Sequence, residues 1–112
     1  MQSGYELLLP EGLLASFEVV NVEESEDTII LHLDETVLCE SENLNHTYLS
    51  KGFYPPTDIY DFPIRNKRLV LRMRRRRWQD KTTGLPFMRD LSLVASGTHL
   101  TEEFAAFLKA LS

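Results

Sequence analysis

Apolar positions along this chain fall into short stretches of two different periods. Within residues 7–17, Leu9, Leu13, Leu14 and Phe17 are spaced as one helical face. Pro10 suits the first turn of such a helix and Glu11 its positive end, while Gly12 weakens it. The period then changes to two. Residues 17–23 read as a strand, ESEDT as a turn, and residues 29–33 as a second strand with Ile29, Leu31 and Leu33 on one face. The pair predicts an antiparallel hairpin with Glu23, Glu24, Glu26 and Asp27 at its tip. That cluster is either a solvated turn or an acidic surface that repels or masks.

Residues 35–51 are polar and weakly patterned, a connector with one short strand or helical turn. In KGFYPPTDIYDFPIRNKR, Gly52, Pro55, Pro56 and Pro63 forbid a regular helix. Phe53, Tyr54, Ile59, Tyr60, Phe62 and Ile64 make the stretch too apolar for a free linker, so an ordered, extended loop packed on the core is expected. Its aromatics either anchor that loop or stack on bases, core packing being the commoner fate. Residues 65–67, RNK, read as a tight turn. In residues 68–78, Leu69, Leu71 and Met73 alternate with Arg68, Val70, Arg72, Arg74 and Arg76, which predicts a strand. The alternation fails after Met73, because Arg75 and Arg77 fall on the apolar side. The strand therefore either leaves the core as a free ribbon or is re-aimed by a bulge. Trp78 either anchors its end in the core or flanks a bound polymer.

A turn at Gly84 and a delay at Pro86 lead to residues 88–95, which can pair back with Leu91 and Leu93 buried. Gly97 breaks that strand. Thr101 is placed to cap a helix whose first turn holds Glu102 and Glu103. Phe104, Phe107, Leu108 and Leu111 form one stripe, expected to lie across the sheet. The expected fold is α+β: two antiparallel β-hairpins forming a small sheet, a short N-terminal helix, and a C-terminal helix packed on the sheet. Residues 1–112 make one domain, with an acidic half at 1–50, a basic β-ribbon at 65–95 and the helix at 101–111.

Charge sharpens this picture. Residues 65–89 hold ten of the twelve Lys and Arg residues and one acid, Asp80. Residues 1–50 hold eleven acids and no Lys or Arg, so the formal net charge of −5 hides a strong segregation. Crowded like charge repels itself, and a folded chain that keeps it usually has an anionic partner. A row of guanidinium groups above an apolar underside suits phosphate, which arginine binds bidentately. A two-stranded ribbon of this kind can enter a major groove. The expected nucleic-acid-binding residues are Arg65, Lys67, Arg68, Arg72, Arg74, Arg75, Arg76, Arg77, Trp78, Lys81 and Arg89. Neutralising about five phosphates gives a slope of log K on log salt near −4.5. On this reading, alanine at Arg74, Arg75 and Arg76 weakens binding with little loss of fold. The competing readings are a charged edge that deters aggregation and neutralisation by the acidic hairpin of the same molecule.

Other chemistry has little support. Cys39 is the only cysteine, so an internal disulfide and a paired metal knuckle are impossible, and a reducing, cytoplasmic setting is expected. His32, His46 and His99 lack ligand spacing, and His32 alternates with apolar neighbours as a structural or surface residue. No P-loop, GxSxG, HExxH or Cys–His constellation is present. The chain is expected to be no enzyme and to need no cofactor or metal. No apolar run is long enough for a membrane span, and no secretory signal is expected at MQSGYELLLPEG.

The motifs SKGFYPP, DFPI, RRRRW and EFAAFLK, set within KGFYPPTDIYDFPIRNKRLVLRMRRRRW and RDLSLVASGTHLTEEFAAFLK, carry a resemblance. Nearly the whole chain, from LLLPEGLLASFE to the last helix, resembles the small N-terminal-region proteins of Aon-type insertion-sequence transposases. The resemblance implies a bacterial, non-catalytic accessory that binds DNA, with the terminal inverted repeats as the expected target. The catalytic transposase is then a separate, downstream-encoded partner. More distantly, Asp61–Ile64 and Arg75–Trp78 are similar to the N-terminal part of ISL-type transposases. Gln79 and Asp80 stand where that family continues to its cysteines, so no zinc is carried over. The alternatives are a protein-interaction subunit docking on the transposase through the acidic half, and an RNA-binding regulator. The oligomeric state is left open.

Overall fold

A computed structural model describes residues 9–10, 12–37, 47–88 and 99–111. It is α+β, with seven strands in two sheets and one α-helix among the described residues. The strands are β1 (Phe17–Glu24), β2 (Thr28–Glu35), β3 (Tyr48–Phe53), β4 (Thr57–Ile64), β5 (Lys67–Arg74), β6 (Arg76–Asp80) and β7 (Pro86–Phe87), followed by α1 (Glu102–Leu111). The first sheet has the order β1-β2-β5-β4 and the second the order β3-β6-β7.

The acidic hairpin forms as expected. Glu24 pairs with Ile29, and Ser25 N–H donates to Thr28 O across the turn at 2.9 Å. The RNK turn also forms: Ile64 pairs with Lys67, and Arg65 and Asn66 both take positive φ, 48° and 67°. A two-residue loop with two left-handed residues matches the twist of the strands that it joins. The two hairpins dock through their inner strands, and β2 runs parallel to β5 with Leu31 opposite Leu71 and Asp34 opposite Arg74.

Alternation sorts the residues as the pattern requires. Phe17, Val19, Ile29, Leu31, Leu33, Ile59, Leu69, Leu71 and Met73 are buried together with Leu13. Each fully buried side chain of this size contributes roughly 1.5–3 kcal/mol.

Several expectations are corrected. Where a helix is expected over 7–17, the described residues hold a 3-10 turn, Leu13–Ala15, and Phe17 already belongs to β1. Gly12, just before that turn, is left-handed (φ 85°) rather than helical. The proline-rich stretch is two strands rather than a loop, because Pro55 and Pro56 fall between β3 and β4, and Pro63 lies beside a register shift. The basic strand breaks at Arg75 and its far half joins the second sheet, so it is neither a free ribbon nor a simple bulge. Its partners there are β3 and the two-residue β7. The strand expected at 88–95 lies outside the described residues except Met88, as do Cys39 and His46.

The helix cap is as expected. Thr101 Oγ1 accepts from Phe104 N–H at 3.3 Å and donates to the buried Asp61 carboxylate at 2.8 Å. Residues 99–101 run along β4, with Tyr60 N–H donating to His99 O and Thr101 N–H to Tyr60 O. The helix does not lie fully against the sheet. Phe104 and Phe107 meet Phe62, yet Phe107, Leu108 and Leu111 stay exposed. No helix among the described residues is long and apolar enough to cross a membrane.

Candidate nucleic-acid interface

The arginine row on β5 exists, but carboxylates of the same molecule occupy it. Arg72 grips Asp58 bidentately, Nε to Oδ1 at 2.8 Å and Nη2 to Oδ2 at 3.0 Å. Arg74 grips Asp34 in the same way, with Nε to Oδ1 at 2.7 Å. The bonded Arg72 guanidinium holds the Asp58 carboxyl below the usual carboxylate range, against a smaller upward push from burial. The same pairings raise Arg72 and Arg74 above the ordinary guanidinium value. Lys67 reaches Glu24 at 3.1 Å.

Arg75 and Arg76 converge on Glu35, whose side chain is fully buried where the two sheets meet. Its Oε1 accepts from Arg75 Nε at 3.0 Å and Arg76 N–H at 3.1 Å, and its Oε2 from the Trp78 indole N–H at 2.7 Å. Arg76 Nε also donates to the Glu35 backbone carbonyl at 2.8 Å, and its Nη1 to Ser50 Oγ at 3.0 Å. Both Arg74 and Arg76 lie over the Phe53 ring, at 4.2 and 4.7 Å. Trp78 is thus a buried anchor at the junction of the sheets.

The expectation of an open row of Arg68, Arg72, Arg74 and Arg76 is therefore corrected for Arg72, Arg74 and Arg76, and Arg75, on the other face, is likewise tied to Glu35. Period two placed these residues on their faces, but it carried no information about which strands lie alongside. The parallel register sets Asp34 opposite Arg74, and the antiparallel one sets Asp58 opposite Arg72. Opposite charges in such cross-strand positions pair.

Arg65, Arg68, Arg77 and Lys81 remain exposed and outside any ion pair among the described residues; Arg89 lies outside them. They do not gather in one place. Arg65 and Arg68 sit at the β4–β5 turn, beside the acidic β1–β2 turn, where Arg68 N–H donates to Asp27 O. Arg77 and Lys81 belong to the second sheet. On β6, Arg77 and Gln79 alternate away from Trp78, and Leu49 of β3 pairs with Gln79 on that same outer face. Lys51, which the sequence reading missed, joins them, and Tyr54 lies 5.9 Å from the Arg77 guanidinium. An open pocket of about 340 Å³ is lined by Lys51, Tyr54, Arg77, Gln79 and Pro86. Lys51 stands directly before the aromatic pair Phe53–Tyr54, the one signal that could have found it.

The two sheets differ in sign. Residues 17–35 and 57–74, which form the first sheet, hold nine acids and five Lys or Arg residues, a formal −4. Residues 47–56 and 75–88, which form the second, hold five Lys or Arg residues and one acid, a formal +4. The acidic turn beside Arg68 lies about 20 Å along β5 from Arg74, beyond two Debye lengths at physiological salt. It therefore does not screen the basic sheet. Among the described residues, no three of His, Cys, Asp and Glu form a group that could hold a metal ion. Comparison with protein-family models, with curated proteins and with solved structures returns no match for this chain.

Proposed function

We propose that the chain is a nucleic-acid-binding accessory module whose polyanion-facing surface is the outer face of β3 and β6. One observation carries this reading: Lys51, Arg77 and Lys81 are exposed on the sheet of net positive sign and have no carboxylate partner among the described residues. Unpaired cations can replace the counterions condensed on a nucleic-acid backbone, whereas Arg72 and Arg74 would first have to give up Asp58 and Asp34. Arg65 and Arg68 contribute less, because acids flank them. The motif resemblance supplies the biological setting: an insertion-sequence transposition accessory that holds element-end DNA for a separately encoded catalytic transposase.

The test is fluorescence anisotropy against terminal-repeat and scrambled duplexes over a salt series. Replacing Lys51, Arg77 and Lys81 with alanine removes three phosphate contacts and flattens the slope of log K on log salt by about 2.7. Absence of binding at low salt, or an unchanged slope in the triple variant, overturns the proposal. A second, compatible role is docking on the transposase, favoured by the exposed Phe107, Leu108 and Leu111 of α1 beside an acidic sheet. Co-purification with the downstream protein, before and after polar substitution of those three residues, tests it.

A further inference from the structure

We infer that the pocket between β3 and β6 receives one unpaired nucleotide, so that the module favours unpaired over duplex nucleic acid. The inference rests on the nucleic-acid reading of this face and assigns the pocket a task that a flat cationic surface does not perform.

The pocket combines the parts that a nucleoside phosphate needs. Lys51 and Arg77 supply cations, and arginine can take a phosphate bidentately. Tyr54 supplies an aromatic ring, and stacking on a base is tolerant of sequence because every base has a π-face. The ring is held in advance. Tyr54 N–H donates to Arg75 O at 2.8 Å, and Pro55 and Pro56 restrict the chain that follows. Gln79 Nε2 donates to Gly84 O at 3.1 Å, which leaves its amide oxygen as an acceptor for a base N–H. Gly84 takes a positive φ of 72°, closing the tight turn that carries this carbonyl and Pro86 to the rim.

The shape argues for an unpaired base. A volume of about 340 Å³ lies at the lower end of small-ligand pockets. Base pairs stacked inside a duplex cannot present a π-face to Tyr54, so a duplex would touch only the cations at the rim. A single strand, or a nucleotide at an unpaired end, can place its phosphate on Arg77 and Lys51 and its base on Tyr54. The same chemistry is offered by DNA and RNA.

The experiment uses the full chain at one fixed salt concentration. A labelled single-stranded DNA, the RNA of the same sequence and the matched DNA duplex are titrated with the wild type, Tyr54→Leu and Gln79→Ala. Leucine keeps apolar bulk, and the fluorescence of the single tryptophan, Trp78, reports whether each variant is folded. The expected result is tighter binding of single strands than of duplex. Tyr54→Leu should lower single-strand affinity roughly 5- to 150-fold more than duplex affinity, the loss of one stacked base. Gln79→Ala should lower it in the same direction by a smaller factor. Equal losses for strand and duplex, or no loss, overturn the inference while the nucleic-acid reading stands. Failure of every probe to bind removes both. The ratio of the DNA and RNA arms identifies which polymer supplies the nucleotide.

Discussion

Replacing Glu35 with alanine should unfold the junction between the two sheets. The side chain is fully buried, and its two oxygens satisfy the Arg75 guanidinium, the Arg76 backbone N–H and the Trp78 indole N–H. Alanine leaves all three donors without that acceptor, and one of them is charged. Each buried donor left unsatisfied costs about 1–3 kcal/mol, so the Trp78 indole, the Arg76 N–H and the partly exposed Arg75 together make a loss of roughly 3–5 kcal/mol. Domains of this size have total stabilities of about 5–15 kcal/mol, so the loss is a large share. At about 4 °C per kcal/mol, the midpoint of thermal unfolding should fall by roughly 12–20 °C. Trp78 is the single tryptophan and is bonded to the group removed, so its emission should shift to the red before global unfolding. Glu35→Gln keeps an acceptor for the indole and should fall between alanine and wild type. The assay is urea and thermal unfolding, followed in parallel by tryptophan emission and far-UV circular dichroism. A loss below about 1 kcal/mol with unchanged emission would show that the carboxylate does not hold the sheets together.

Three further outcomes follow from the same geometry. Thr101→Ala removes the cap of α1 and a donor to the buried Asp61 carboxylate, and should cost about 2–4 kcal/mol in urea unfolding with reduced helix signal; a cost under about 0.5 kcal/mol contradicts this. Asp58 is held below its ordinary pKa by Arg72, so the pair stabilises the fold above the unfolded carboxylate value near 3.9 and this is lost as pH falls through the lower folded value. Because both partners are about one-third exposed, the effect should be near 0.5–1 kcal/mol, and Asp58→Asn should flatten stability over that acid window. Arg65→Gly relieves a left-handed φ of 48° and should raise stability by about 0.5–1 kcal/mol, the relief exceeding the entropy cost of glycine; an unchanged or lower midpoint refutes it.

Local chemistry was legible wherever neighbours in sequence settle it. Leu69, Leu71 and Met73 could be assigned to a buried face because strand alternation needs no knowledge of the partner strand. The left-handed turn at Arg65 and Asn66 and the Thr101 cap are also contained within a few residues. The Pro-rich stretch misled, since proline excludes helix but is tolerated between strands and at a sheet edge. Which cations stay unpaired was not legible within the basic segment itself. Charge density marked residues 65–89, but which of those charges remained available depended on Asp34, Glu35 and Asp58, which lie 14 to 41 residues away in the chain.

The amino-acid order by itself determined the β1–β2 hairpin, the inward face of β5, the Thr101 cap and the segregation of acid from base. Only the tertiary structure decided how that charge is used. Pairing of β5 with β2 on one side and β4 on the other ties Arg74 to Asp34 and Arg72 to Asp58, and the break at Arg75 carries the rest of the basic strand into a separate sheet. The physical reason is range. Backbone geometry acts between adjacent residues, whereas an ion pair forms between whatever side chains the strand order brings within about 4 Å.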